Sequence, residues 1–245
     1  MLTVTTSWDD GDVLDLKLAA LLDRYDIQGT FYITKECRKE RLSDENIRTL
    51  SQRHEIGAHT LTHPDLRSCS REEKIHEIQG SKQWLESLLG KEVPSFCYPS
   101  GFFDAESVAV TKEAGFHGAR TTVLGALEPS DGPFLLPTTL QMYPMPFRKL
   151  GACGYWWGKL LQPFAERASA LRSLGVPLAA FRSFDALACA TFDIALVRGG
   201  VFHLWGHSWE IDKYDMWRPL ERVVRYISKR EDCRYMTNAD VIRAL

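Results

Sequence analysis

Three acids crowd into four positions near the start of the chain: Asp9, Asp10 and Asp12, interrupted only by Gly11. They follow a β-favouring run from Leu2 to Trp8. Adjacent carboxylates repel, and at the end of a buried strand they cost stability unless a cation or a proton offsets them. The plain alternative is a solvated turn in which Asp12 caps the next helix. His59 and His63, four residues apart and followed by Pro64, supply complementary chemistry. If that segment turns helically, positions i and i+4 point the same way and can hold one ion. Two imidazoles and one carboxylate, with water in the open position, make a common catalytic zinc arrangement. His203 and His207 repeat the spacing. However, residue 204 is leucine rather than the glutamate of a helical H-E-x-x-H metal motif, and the segment has the pattern of a strand. On a strand, His203, Trp205 and His207 share a face, so His203 either lines the same pocket or fills the interior as a satisfied histidine.

For the acids and the imidazoles to meet, the chain must bring strand ends together. Strands are predicted at Leu2–Trp8, Gly29–Thr34, Ile56–Ala58, Ser95–Tyr98, Gly118–Thr122 and Gly200–Trp205. Between them lie helical patterns: one after Gly11 with Asp12 as its N-cap, one from Ser43, one from the capping box Ser70–Glu73 to Gly90, and one capped by Asp104. This alternation argues for parallel strands with helical crossovers, and their carboxyl ends converge on one face of a barrel. From Leu124 to Ala195 the rhythm is less regular. Leu135–Met142 is predicted as a strand, and helical patches fall at Lys159–Leu174 and Ser183–Ala190. A helix from about Met216 to Lys229 and a capped terminal helix, Thr237–Ala244, complete the pattern. The segment 143–195 is also rich in aromatics, and Trp156 or Trp157 could stack on a sugar ring. There is no internal repeat or convincing linker, so one barrel-like domain over 1–245 is expected.

The 245 residues suffice for a full core, and a net charge of −2 carries no electrostatic footprint for nucleic acid or anionic membrane. No apolar run reaches the roughly 18 residues a membrane span needs. Six scattered cysteines without C-x-x-C pairs, and an amino terminus that enters a strand directly, are read as reduced thiols of a cytoplasmic protein.

These residues together resemble the polysaccharide deacetylase (NodB-homology) family, metal-dependent deacetylases built on a distorted, incomplete (β/α) barrel. Ser7-Trp8-Asp9-Asp10-Gly11 resembles its first motif, and His59-Thr60-Leu61-Thr62-His63-Pro64 matches its His-x-x-x-His-Pro motif. Phe96-Cys97-Tyr98-Pro99-Ser100-Gly101 and Phe202-His203-Leu204-Trp205-Gly206-His207 resemble two later motifs. The resemblance implies Asp9 as general base and Asp10, His59 and His63 as ligands of one divalent ion, zinc before iron, cobalt or nickel. It implies Ser100, through its backbone N–H, as an oxyanion donor and His207 as general acid. Tyr98, Trp205, His203 and Arg120 are expected to contact an N-acetylated sugar or glycan precursor.

Two departures stand out. Cys97 occupies the place of the family's third-motif arginine, which orients and charge-tunes the catalytic aspartate, and Arg120 is the candidate substitute. The family's Asp-and-Trp motif that supports the catalytic histidine is missing, so Glu210 or Asp212 is expected to stand in. A metal-independent amidohydrolase on the same barrel and a silent sugar-binding module are the competing readings.

Overall fold

The computed structural model describes residues 1–129, 131–148 and 157–245, the side chains of 157–159 excepted. Cys153 and Trp156, and the side chain of Trp157, lie outside the described residues. In chain order the elements are β1 (Leu2–Asp10), α1 (Asp15–Arg24), β2 (Thr30–Ile33), α2 (Asp44–Leu50), β3 (Glu55–Ala58), α3 (Arg71–Leu89) and β4 (Ser95–Cys97). They continue with α4 (Ala105–Glu113), β5 (Gly118–Arg120), β6 (Leu140–Gln141), α5 (Trp157–Ser173), α6 (Phe184–Arg198) and β7 (Gly200–Gly206). The chain then runs through α7 (Ser208–Lys213), α8 (Trp217–Ile227), β8 (Cys233–Tyr235) and α9 (Asn238–Arg243).

The strands lie in the order β5-β4-β3-β2-β1-β7-β6, with β8 pairing the first residues of β1, and every ladder is parallel. The sheet curls into a distorted, incomplete (β/α) barrel. Alternation along β1 explains how one strand serves two environments. Leu2, Val4 and Trp8 are buried in the apolar core, whereas Thr5, Ser7 and Asp9 turn inward onto polar partners. The strand β7 behaves alike: Phe202 packs edge-on against Phe192 of α6 at 5.2 Å, and His203 turns to the interior.

Several expectations need adjustment. The helix α1 begins at Asp15 with Leu14 as N-cap, not after an Asp12 cap. Asp12 instead takes the Leu14 N–H at 3.1 Å and the Arg38 guanidinium at 3.0 Å, so its carboxylate is spent on the turn before the helix. The predicted strand Leu135–Met142 is reduced to one bridge, Arg120 to Leu136, and the two residues of β6. That segment passes from the edge of β5 to the edge of β7, and no single register can serve both. The capping box at Ser70–Glu73 and the left-handed C-cap at Gly90 (φ 64°) bound α3 as read. No described helix is long and apolar enough to cross a membrane.

Candidate active site

The carboxyl ends of β1, β3, β4 and β7 open into a cavity of about 450 Å³, lined by Asp9, Asp10, His59, His63, Ser100 and His207 among others. On a regular strand, neighbours such as Asp9 and Asp10 point to opposite faces. Both reach this cavity because Asp10 leaves the strand with φ 83° and Gly11 follows at φ 72°. Gly11 also lies so close to Ile33 that an added Cβ would meet its Cγ2 at 2.8 Å. Left-handed backbone recurs in the site at Thr60 (φ 65°), His63 (φ 62°) and Ser100 (φ 54°). Four of the seven non-glycine residues with positive φ among those described therefore build this one site, where backbone strain is commonly stored.

His59 and His63 converge without the helical turn that their spacing suggested. Their loop is clamped by Glu77 of α3, whose carboxylate accepts the N–H groups of Leu61 and Thr62 at 2.8 and 2.9 Å and the Thr62 hydroxyl at 2.7 Å. The Thr60 hydroxyl takes the His63 N–H at 3.0 Å. The imidazole rings meet edge to face at 4.8 Å. Asp10 Oδ1 stands 3.8 Å from His59 Nε2 and 3.7 Å from His63 Nε2.

This donor set fits a divalent ion. Tetrahedral ligands about 2.0–2.1 Å from zinc lie about 3.3 Å apart, a small contraction from these separations. His59 donates Nδ1–H to the Cys97 carbonyl at 2.8 Å, which leaves the Nε2 lone pair directed at Asp10. Burial, with His63 beside it, holds the His59 imidazole down at about 4, so it is neutral as a ligand must be. Asp10 is oriented by the Trp209 indole N–H, which reaches its Oδ2 at 2.8 Å. Cys97 could complete a different set with Asp9 and His59, but burial pushes its thiol well above the ordinary range. It remains an S–H, 3.9 Å from Asp9.

Asp9 lies deeper, where both of its carboxylate oxygens accept from one Nη of the fully buried Arg120. Burial raises the Asp9 carboxyl, but the Arg120 guanidinium, with His59 and His207, outweighs it and brings the group below its usual value. Arg120 is itself enclosed by the rings of Trp205 and Tyr32, 4.6 and 5.4 Å from its guanidinium carbon. His207 donates Nδ1–H to Glu210 at 2.6 Å, leaving Nε2 for the cavity. Burial alone would lower its pKa. The Glu210 hydrogen bond and the charges of Asp10, Glu210 and Asp9 instead raise it to about 9. Asp212 does not share this work, since it accepts the Trp217 indole N–H at the surface.

Of the residues expected to touch substrate, Trp205 lines the cavity, while Tyr98, Arg120 and His203 are buried away from it. Tyr98 stacks on Phe103 at 4.6 Å and donates its hydroxyl to the Phe134 carbonyl. Arg120 is committed to Asp9. His203 gives Nδ1–H to the Pro137 carbonyl at 3.2 Å and accepts the Ser7 hydroxyl on Nε2 at 2.8 Å, as a satisfied interior histidine. The sequence reading missed Glu77 and the Trp209–Asp10 contact. It also missed a polar wall of the same cavity, Gln141, Glu166 and Arg167.

Residues 2–119 match the family model described as polysaccharide deacetylase. Among solved structures, one from Mycobacterium smegmatis, provisionally named a polysaccharide deacetylase, covers 99% of this chain and 89% of its own at 15% identity and a TM-score of 0.71. A family 4 carbohydrate esterase from Streptomyces lividans in complex with acetate covers 92% and 87% at 15% identity, TM-score 0.55. A Streptococcus pyogenes deacetylase in complex with acetate matches at 21% identity and TM-score 0.52, over 54% of this chain and 62% of that one. An uncharacterised 30.6 kDa protein of Geobacillus stearothermophilus is 25% identical over 101 residues, and the match spans only 38% of its length. At these identities the solved structures speak for the fold. The family model describes residues 2–119, just under half of the chain, and the solved structures extend the likeness of fold over nearly all of it. The matched span holds Asp9, Asp10, His59, His63 and Ser100 and stops short of Arg120 and His207.

Proposed function

We propose that this protein is a metal-dependent hydrolase that removes an acetyl group from an N-acetylated sugar or glycan precursor. The observation that carries this reading is the meeting of Asp10, His59 and His63 around one point, beside an unligated acid, Asp9, and opposite His207, whose Nδ1 is held by Glu210. Asp10, His59 and His63 would hold the ion. When bound, such an ion supplies Lewis-acid polarisation of the acetyl carbonyl and lowers the pKa of water.

Asp9, kept ionised by Arg120, takes the proton of the attacking water. The backbone N–H of Ser100, in the left-handed turn after Pro99, faces the developing oxyanion. His207 Nε2 passes its proton to the leaving nitrogen, while Glu210 holds the imidazolium from the other side. Trp205 and Trp209 flank His207 at ring distances of 5.7 and 5.5 Å and shield that transfer from bulk water.

The test is acetate release from N-acetylglucosamine oligosaccharides by the purified, metal-analysed protein. Activity should vanish with a chelator and return with zinc. Asp9→Asn should keep the metal while losing nearly all turnover. Activity that survives chelation would favour the metal-independent amidohydrolase. Sugar binding without acetate release would favour a silent module.

A further inference from the structure

On the far wall of the cavity, Gln141 of β6 stands in register with Trp205 of β7, two residues before His207. Beside it α5 contributes Glu166 and Arg167. Arg167 is more than nine-tenths buried, over the Tyr143 ring at 4.5 Å, and donates to the Gln141 amide oxygen. One Nη also donates to the Pro163 carbonyl and to Glu166, both at 3.3 Å, and its Nε has no partner among the described residues. Glu166, half exposed, accepts the Gln162 amide at 2.6 Å on its other oxygen. None of these groups has a part in the hydrolysis described above.

We infer that Gln141, Glu166 and Arg167 form a subsite that reads the hydroxyls of the sugar ring bearing the acetyl group; this rests on the deacetylase reading of the site. The chemistry of the trio chooses the ligand. An anionic substituent would meet Glu166 and a cationic one Arg167, whereas a neutral diol offers hydrogens to the carboxylate and lone pairs to the guanidinium. The amide of Gln141 serves either. The location agrees. β6 adjoins β7, so this wall flanks the acid His207, and the ring whose nitrogen leaves must lie on that side. A largely buried guanidinium that lines the cavity discriminates strongly, because an analogue lacking the matching oxygen leaves one of its N–H groups unpaired.

The experiment compares wild type, Glu166→Gln and Arg167→Lys on N-acetylglucosamine oligosaccharides and their monodeoxy analogues, by acetate release and by calorimetric binding to the metal-loaded proteins. Melting curves confirm folding, and Glu166, being half exposed, gives the variant less prone to unfold. KM and Kd should rise about tenfold or more in each variant with kcat within about threefold. The deoxy analogue missing the read hydroxyl should bind wild type and variant equally weakly. Unchanged KM and Kd, or additive losses for variant and analogue, would overturn the subsite. If wild type releases no acetate yet binds the sugars in a Glu166-dependent way, the subsite stands and the hydrolase reading falls. Absence of both binding and turnover sinks both.

Discussion

Cys97 and Arg120 are direct partners across the ladder between β4 and β5, the last pair in register at the floor of the cavity. Paired residues of neighbouring strands project to the same side about 5 Å apart. An arginine on β5 therefore delivers its guanidinium to the region that a side chain at position 97 would occupy, and it grips Asp9 there. The charge absent from the third motif has been supplied from the next strand. Cys97 keeps two smaller roles, a carbonyl for His59 and a thiol against Asp9.

This relay makes Arg120 a positioning residue for Asp9, the proposed base. Arg120→Met leaves Asp9 buried and uncompensated, which should cost about 3–5 kcal/mol in unfolding free energy. It should also lower kcat/KM by about 10² to 10⁴. The acid limb of the pH–rate profile should move upward, since the Asp9 pKa is held down by Arg120. Arg120→Lys should recover part of both losses, and Cys97→Arg placed in Arg120→Ala should restore activity. Denaturant melts and pH profiles of the four proteins check this; an unmoved acid limb in Arg120→Met would contradict it.

Glu210 sets the other limb. Its hydrogen bond and charge, with Asp10 and Asp9, raise His207 from 6.5 to about 9, and in the role proposed for it the imidazole works only while protonated. Glu210→Gln keeps an acceptor and removes the charge. The alkaline limb should then fall to lower pH, so the variant loses far more at pH 8 than at pH 6. A cation at Asp10 cancels some of the push in both proteins, and the comparison is made between metal-loaded forms. In the metal-free protein the raised pKa stabilises the fold fully below about 6.5, and that contribution is lost as pH rises through about 9. Glu210→Gln should flatten the fall in melting temperature over that window.

Much of this site was legible because it rests on local patterns. Period-two alternation set His203 and Trp205 on one face of their strand, the convergence of strand ends brought Asp9 to the site, and capping boxes such as Ser70–Glu73 placed the helix starts. Arg120 could be named as a substitute because it ends a strand. What escaped depends on distance in sequence or on backbone. The positive φ of Asp10 decides that both acids share a cavity, and nothing in an Asp-Asp pair announces it. Glu77 sits in a helix with Glu72, Glu73 and Glu86, and only the folded loop singles it out. In the wall of Gln141 and Arg167, the first lies in a strand of only two residues, and the second lies on a helix whose pattern does not say which polar residue faces the cavity.

Glu77 is accordingly the least obvious determinant of the proposed ion site. It touches neither imidazole, yet three of its hydrogen bonds shape the loop between them. Glu77→Gln keeps one oxygen for the two N–H groups but removes the charge and puts a donor against the Thr62 hydroxyl, so it should weaken ion affinity about 10- to 100-fold, the usual size of effects one layer behind the ligands. Competition with a chromogenic chelator measures this. Turnover at saturating zinc should return close to wild type. A variant that binds the ion normally would remove Glu77 from the account.

His203 gives a prediction about stability apart from catalysis. Burial, aided by the Arg120 charge, lowers it from 6.5 to about 3, and its two nitrogens are taken by Pro137 and Ser7 as a neutral ring requires. A depressed pKa means that the unfolded chain binds the proton first. The stabilisation is therefore complete above about 6.5 and is lost as pH falls from there towards about 3, at up to about 1.4 kcal/mol per pH unit. His59 adds to the same slope in the metal-free protein, so the measurement uses the difference between wild type and His203→Gln. Glutamine offers one donor and one acceptor without titrating. The variant should be less stable at pH 7.5, where it loses the fitted ring, and the gap should narrow as pH drops to 4.5. Chemical denaturation across that range decides the matter, and a gap independent of pH would show that His203 takes up its proton as readily in the fold as in the unfolded chain.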